Sequence, residues 1–155
     1  MIVDQAGKTL ERIVRSTRLG ANLTSTGVLS AESIRRTLEC LNEYESLIKR
    51  HNVLRRRTVA TAACRVAKNT AEFFTAVKKI SGAEPELISG EIERALSFVG
   101  ATSSFSDKRP TLVVDIGGAS TELMVGSETL DFAVSLPFGA VNITESELHR
   151  DPPRP

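Results

Sequence analysis

The sequence predicts an α/β fold in which a sheet with parallel members carries helices on its faces. Two observations predict it: strand-like and helix-like segments alternate along the chain, and the connections between them are short. The 155 residues, 41% of them hydrophobic, are typical of a soluble globular chain of one domain. A chain of this size can bury one core. It has no apolar run of membrane-spanning length and no secretory pattern at its N-terminus, so we expect a cytoplasmic protein with no membrane partner.

The first half of the chain is predicted to contain two strands and a long helix. Thr9 to Leu19 has a strand-like pattern and leads into a turn-rich loop over 20–27. Ser30 is placed to cap a helix that runs to about His51, because apolar residues recur after it at helical spacing. These residues are Ile34, Leu38, Leu41, Tyr44 and Ile48. Thr58 to Ala62 is a second, short strand-like segment.

The middle of the chain predicts two further helices around a short strand. Asn69 with Glu72 three residues later is typical of a helix start, and Gly82 is expected to end that helix. Glu86 to Ile88 is the strand. A helix from about Glu91 to Thr102 follows, and its apolar residues are expected to point inward. They are Ile92, Leu96 and Val99.

The last third predicts a hairpin, a strand and a short helix. The hairpin covers residues 113–126 and has a glycine turn at its centre. Phe132 to Leu136 has the pattern of another strand, and Val141 to His149 that of a short helix.

Charge and rare residues exclude several classes of site. Basic residues gather in the first 80 positions, including Arg55 to Arg57, which could attract a polyanion or, as we favour, form a solvated connector. Only 5% of residues are aromatic and there is no Trp, so neither DNA nor RNA is expected as a partner. Cys40 and Cys64 are predicted to pack rather than form a disulfide. His51 and His149 are isolated, which leaves no local zinc site or histidine triad.

The hairpin has the features of a phosphate-binding turn. Gly117 and Gly118 allow a close approach of the backbone to an anion, and Ser120 and Thr121 add hydroxyl donors. Two acids face each other across this turn, Asp115 and Glu122. Such a pair favours a cation between them, whereas the alternative is an ordinary hairpin whose glycines only turn the chain.

Two charged residues follow other predicted strands and could meet the hairpin at one sheet edge, where ligands gather in α/β folds. Arg65 offers a fork of donors for phosphate oxygens, or it is a surface arginine near a helix start. Glu93 lies in the first turn of a helix, where it could also simply stabilise the helix N-terminus.

These segments resemble the exopolyphosphatase and guanosine pentaphosphate phosphohydrolase family, known as Ppx/GppA. The hairpin is similar to the family's Asp-x-Gly-Gly-Gly-Ser-Thr-Glu loop. Similar segments also occur, in the same order, at 61–69, 88–93, 135–141 and 151–153. The resemblance covers nearly the whole chain.

The resemblance implies the ribonuclease-H-like fold of the actin, sugar kinase and heat-shock chaperone superfamily. It implies hydrolysis of a terminal phosphoanhydride in inorganic polyphosphate or guanosine pentaphosphate, with Glu93 as general base. Asp115 and Glu122 would support Mg²⁺, with K⁺ as a further cofactor, and Glu122 would also be catalytic. The implied phosphate-binding residues are Arg65, Gly117, Gly118, Ala119, Ser120 and Thr121. A homodimer is a further expectation.

The sequence also departs from the family pattern. A first phosphate loop, Asp-x-Gly-Ser-Asn-Ser, is not found, Ala119 replaces a glycine, and Ile92 replaces an acid. We therefore expect residues 1–150 to form a partial first domain and 151–155 to begin a linker to a second. A catalytically impaired fragment, or a regulatory module that only binds polyphosphate or nucleotide, stays open beside the enzyme. A kinase of the same superfamily is a third, weaker interpretation.

Overall fold

The structure, a computed structural model, describes residues 1–107 and 109–147. Its helices are α1 (Leu23–Thr26), α2 (Ala31–Arg50), α3 (Ala62–Val66), α4 (Thr70–Ser81), α5 (Gly90–Thr102) and α6 (Ala140–Ser146). Its strands are β1 (Ile2–Val3), β2 (Thr9–Glu11), β3 (Val59–Ala60), β4 (Glu86–Leu87), β5 (Thr111–Ile116), β6 (Thr121–Gly126) and β7 (Leu130–Leu136).

The chain divides into two compact units. The first contains residues 1–59 and 67–86, and the second contains residues 60–66 and the chain from residue 87 onward. The sequence predicts one partial domain over residues 1–150, and the described part of that range falls into these two units. The predicted boundary between residues 150 and 151 lies outside the described residues.

The first unit is organised by two helices that pack against each other, α2 and α4. The prediction for α2 is confirmed: the Ser30 hydroxyl accepts a hydrogen bond from the Ser33 N–H at 3.1 Å, and basic residues occupy the last turn. The buried side chains of this unit include Leu29, Phe73 and Val77.

Asn69 has a different role from the predicted cap. It stands at the N-cap position of α4, but its side chain makes no capping bond. Instead, its amide exchanges two hydrogen bonds with the backbone of Leu29, accepting at 2.8 Å and donating at 2.9 Å. Gly82 does end α4, in the left-handed conformation with φ 75°, and its N–H donates to the Lys78 carbonyl.

The strand predicted over Thr9 to Leu19 is wrong in length. Only Thr9–Glu11 forms a strand, antiparallel to β1, and β1 itself has no counterpart among the predicted elements. Val14 is 81% exposed. Val14 therefore covers no core, and a strand without a partner cannot satisfy its backbone.

The basic run 55–57 forms the predicted connector. Arg56 is paired with Glu45, and Arg57 forms a two-pronged ion pair with Glu86, both bonds at 2.7 Å. The guanidinium of Arg57 lowers the pKa of the Glu86 carboxyl. Two of the three arginines are thus engaged with acids of the same unit.

The strands form three short sheets rather than one continuous sheet. The parallel component is the pair β3–β4: the Glu86 N–H donates to the Thr58 carbonyl and the Ile88 N–H to the Ala60 carbonyl. The strands β5, β6 and β7 are antiparallel. Their connecting turns are only three or four residues long, too short for the crossover that parallel strands need. The α/β class, with sheets flanked by helices, is confirmed.

Helix α5 packs on the β5–β7 sheet, but not with the face predicted. Ile92, Leu96 and Val99 are 45%, 47% and 50% exposed, whereas Phe98 is fully buried. A Cβ on Gly126 would lie 2.0 Å from the Thr129 carbonyl oxygen and 2.9 Å from Phe98 Cζ, so this position beside the ring requires a glycine. The large aromatic side chain therefore decides which face of α5 meets the sheet.

The opposite face of this sheet is apolar and open in the described chain. Leu112, Val114, Ile116 and Phe132 are each more than half exposed. Their alternation along β5 and β7 puts the acids and small polar residues of these strands on the side of α5. The sheet that carries the hairpin turn is thus supported by α5 on one of its two faces.

Three further predictions concern the cysteines, a membrane span and the last helix. Cys40 and Cys64 form no disulfide, and burial raises the pKa of the Cys64 thiol. No described helix combines the length and the apolar character that a membrane span requires. Helix α6 begins one residue before Val141, and the predicted end at His149 lies outside the described residues.

Candidate active site

The structure brings the predicted Arg65 and Glu93 into direct contact in the second unit. Arg65 lies at the end of α3, and Glu93 lies in the first turn of α5, whose N-cap Ser89 accepts from the Ile92 N–H. One guanidinium nitrogen, Nη1, donates to Glu93 Oε2 at 2.8 Å and to the Ile88 carbonyl at 2.9 Å. The pair fixes the direction of the carboxylate and leaves the other guanidinium N–H groups for further acceptors.

The two acids of the hairpin stand opposite each other in the sheet. Asp115 on β5 pairs in register with Glu122 on β6. Asp115 Oδ2 accepts from the Ser97 hydroxyl at 3.0 Å. Glu122 Oε1 accepts from two hydroxyls, that of Ser120 at 2.6 Å and that of Ser135 at 3.1 Å. Both carboxylates are therefore held by serines through one oxygen.

Helix α5 links the arginine–glutamate pair to the hairpin. Glu93 and Ser97 are four residues apart, so they share one face of the helix with about 6 Å between their Cβ atoms. Ser97 contacts Asp115. Within the second unit, α5 thus carries one residue bonded to Arg65 and, one turn later, another bonded to Asp115.

The turn between β5 and β6 has some of its N–H and hydroxyl groups hydrogen-bonded within the protein. The Gly117 N–H is already used, since it donates to the Ser120 carbonyl at 2.9 Å. For the N–H groups of Gly118 and Ala119, no acceptor is found in the described part of the chain. Thr121 Oγ1 donates to the Phe138 carbonyl at 2.6 Å. The hydroxyls of Ser120 and Thr121 thus donate within the protein in this structure, and their contact with a phosphate stays a prediction.

Ala119 fits this turn without backbone strain. Positive φ angles occur, among described residues, at Arg18, Asn22, Asn52, Gly7, Gly27 and Gly82, none of them in the turn. The residue at 119 can therefore carry a side chain. At Gly118 a Cβ would lie 3.3 Å from Val141 Cγ2, a tight contact that a small shift of this side chain would have to relieve.

The two carboxylates of the hairpin fit Mg²⁺ better than they fit a metal ion that is bound entirely by protein side chains. Two carboxylates face each other across adjacent strands, where like charges are unfavourable without a cation. No cluster of three or more metal-ligating side chains occurs within residues 1–107 and 109–147. Mg²⁺ suits such a pair because it keeps several waters and takes only one or two carboxylates in addition to phosphate oxygens.

Sequence reasoning missed four residues that shape this site: Ser97, Ser135, Gly139 and Asn142. Ser97 has a detectable signal, since it lies one helical turn after Glu93. Ser135 faces Glu122 in the register of β6 and β7, which the sequence does not show. Gly139, just before α6, and Asn142, in its first turn, act on the glycine turn, and the sequence assigns a role to neither.

The fold and this constellation of residues define the class of protein. A model of the Ppx/GppA phosphatase family matches residues 1–155. The chain belongs to the Ppx/GppA phosphatase family.

Individual proteins that are similar to this chain support the same family. Exopolyphosphatase 2 of Mycobacterium tuberculosis H37Rv is 38% identical over 150 residues, which cover 93% of this chain and 47% of that protein. The crystal structure of an exopolyphosphatase-like protein superimposes with a TM-score of 0.86 at 37% identity and covers 94% of this chain and 47% of the other. The Aquifex aeolicus Ppx/GppA family member gives a TM-score of 0.70 at 38% identity, over 90% of this chain and 46% of the other. The chain thus spans about half the length of these relatives.

Proposed function

We propose that this chain contributes to the hydrolysis of terminal phosphoanhydride bonds in inorganic polyphosphate, with Glu93 as the general base. The Arg65–Glu93 pair is the observation that carries the proposal. It orients one carboxylate oxygen toward the guanidinium and leaves Oε1, for which no donor is found among the described residues, to accept a proton. The names of the relatives support polyphosphate as the substrate class.

The proposed step is an in-line attack of water on the terminal phosphorus. Glu93 takes a proton from the attacking water as the new O–P bond forms, and the P–O bond to the next phosphate breaks. The leaving group is the polyphosphate shortened by one unit. Arg65 would stabilise the charge on the transferred group with its remaining N–H groups, beside the backbone donors of Gly118 and Ala119.

Asp115 and Glu122 would hold Mg²⁺ directly or through its waters. The bound ion would neutralise negative charge on the phosphate oxygens. Ser97, Ser120 and Ser135 keep the two carboxylates in place by donating to them. K⁺ as a second cofactor and a homodimer stay predictions from the sequence.

Phosphate release from long-chain polyphosphate with Mg²⁺ tests the proposal. Glu93→Gln keeps the shape of the side chain and removes the base, so we expect the rate to fall by about 10²- to 10⁴-fold. Glu91→Gln is the matched control, since Glu91 is an exposed acid in the same helical turn. Equal rates for Glu93→Gln and the unchanged chain would contradict the role of Glu93.

A second candidate function is binding of polyphosphate or nucleotide without turnover, favoured by the N–H groups of Gly118 and Ala119, for which no acceptor is found in the described part of the chain. It predicts polyphosphate binding in the absence of any phosphate release. Asp115→Ala combined with Glu122→Ala should abolish Mg²⁺-dependent binding in either case, and unaffected binding would count against the metal–phosphate site. A parallel assay with guanosine pentaphosphate decides between the two substrates.

A further inference from the structure

The glycine turn is anchored along its carbonyl side by the segment that opens α6. The Ala140 N–H donates to the Gly117 carbonyl and the Val141 N–H to the Gly118 carbonyl, each at 2.8 Å. The backbone N–H of Asn142 donates to the Gly118 carbonyl as well, at 3.2 Å. Two successive carbonyls of the turn therefore point toward the start of α6.

The side chain of Asn142 anchors the third carbonyl. Its Nδ2 donates to the Ala119 carbonyl at 2.8 Å and to the Pro137 carbonyl at 3.2 Å, while Oδ1 accepts from the Gly139 N–H at 2.7 Å. Donors face carbonyls and the acceptor faces an N–H, so this network requires the amide in one orientation. Asn142 thereby ties the glycine turn to the loop before α6.

The direction of these carbonyls decides where the N–H groups point. In a trans peptide, the C=O of one residue and the N–H of the next point in opposite directions. With the carbonyls of Gly117, Gly118 and Ala119 held toward α6, the N–H groups of the three following residues point away from it. These are the N–H groups of Gly118, Ala119 and Ser120, and successive N–H groups with a common direction make an anion-binding concavity.

We propose that Asn142 is a positioning residue that fixes the glycine turn with these three N–H groups aimed at a phosphate oxygen. The proposal rests on the proposed function, since it assigns to the same turn the orientation that phosphate binding needs. Asn142 does not contact the phosphate itself. It acts through the Ala119 carbonyl, for which the side chain is the donor identified in the structure.

Asn142→Ala should remove two hydrogen bonds together, the one to the Ala119 carbonyl and the one from the Gly139 N–H. We expect binding of tripolyphosphate, measured by titration calorimetry with Mg²⁺, to weaken about tenfold, as the loss of one or two net hydrogen bonds implies. Amide exchange at Gly139, measured by NMR, should accelerate by a similar factor. Thr144→Ala is the matched control, because it removes a side-chain bond to the Ala140 carbonyl within α6 and leaves the turn untouched.

Asn142→Asp separates a positioning role from general support of the fold. An aspartate still accepts from the Gly139 N–H but meets the Ala119 and Pro137 carbonyls with an oxygen. Gly139 should therefore stay protected from exchange. The amide signals of Gly118 to Ser120 should lose their response to tripolyphosphate.

The outcomes separate this inference from the proposed function. Weaker binding with Asn142→Ala but not with Thr144→Ala supports the inference. Unchanged binding and unchanged Gly139 exchange in Asn142→Ala overturn it while the proposed function stands. If the unchanged chain binds no tripolyphosphate, the proposed function fails, and Gly139 exchange then decides alone whether Asn142 holds the turn.

Discussion

Gly139 allows the loop before α6 to lie close to the glycine turn. A Cβ at this position would lie 2.5 Å from the Gly118 carbonyl oxygen and equally close to the Ala119 nitrogen. Backbone atoms at such a distance cannot move aside without moving the glycine turn itself. The loop before α6 and the turn can therefore approach each other only because position 139 has no side chain.

Gly139→Ala is expected to destabilise the chain by about 1–3 kcal/mol, the usual cost of overpacking, and to weaken tripolyphosphate binding. Gly100→Ala is the control. Gly100 lies within α5, no atom comes within 4 Å of its would-be Cβ, and an alanine there should stabilise by about 0.5–1 kcal/mol. Urea unfolding of both variants measures the two effects. Equal stability of Gly139→Ala and the unchanged chain would show that the turn moves freely.

Among the elements, α2 is the one that local sequence determines most directly. Its cap, its apolar spacing and its basic last turn are all consistent with one helix, and the helix forms as predicted. Helix α5 is the opposite case. Its ends follow the predicted pattern to within a residue, but its buried face depends on Phe98 and on the glycine that faces it across the sheet.

Ser30→Ala should cost about 1 kcal/mol, because the N-terminal N–H of Ser33 then loses its acceptor. Ser46→Ala removes an exposed side-chain bond to the Asn42 carbonyl in the second half of the same helix and should change stability by less than about 0.5 kcal/mol. Denaturant titrations followed by circular dichroism provide the comparison. A similar change in both variants would mean that the cap adds nothing to α2.

For the molecule as a whole, acid should be destabilising through several surface carboxylates. Arginine neighbours lower the pKa of Glu86, Glu32 and Asp107 below their ordinary values. A carboxyl whose pKa is lower in the folded chain stabilises that chain above its ordinary pKa. The contribution is lost as the pH falls through the lower, folded value.

Stability should therefore decrease as the pH drops below 4.5, the ordinary value for glutamate. Glu86→Gln should flatten part of this decrease, since the amide does not titrate. The effect should be small and should shrink in high salt because the pair with Arg57 is exposed. Thermal melts from pH 3 to pH 7 test this, and identical pH profiles for the two proteins would exclude a contribution from Glu86.

Prediction from the sequence worked where the signal is local. The spacing after Ser30, the glycine after α4 and the hairpin around Gly117 all follow from neighbouring residues, and so does the nomination of Arg65 and Glu93 as charged residues at element ends. It was wrong where packing decides, as at Thr9 to Leu19 and on the face of α5. It missed Ser97, Ser135 and Asn142, whose roles arise only from contacts between distant segments.

The sequence by itself determined the longer helices, the hairpin with its two acids and the membership in the Ppx/GppA phosphatase family. The tertiary structure decided how these parts act on one another. It paired Arg65 with Glu93, placed a serine on each hairpin carboxylate, and turned the carbonyls of the glycine turn toward Asn142. The physical reason is that a hydrogen bond needs two groups within about 3 Å, and only the folded chain sets distances between residues far apart in sequence.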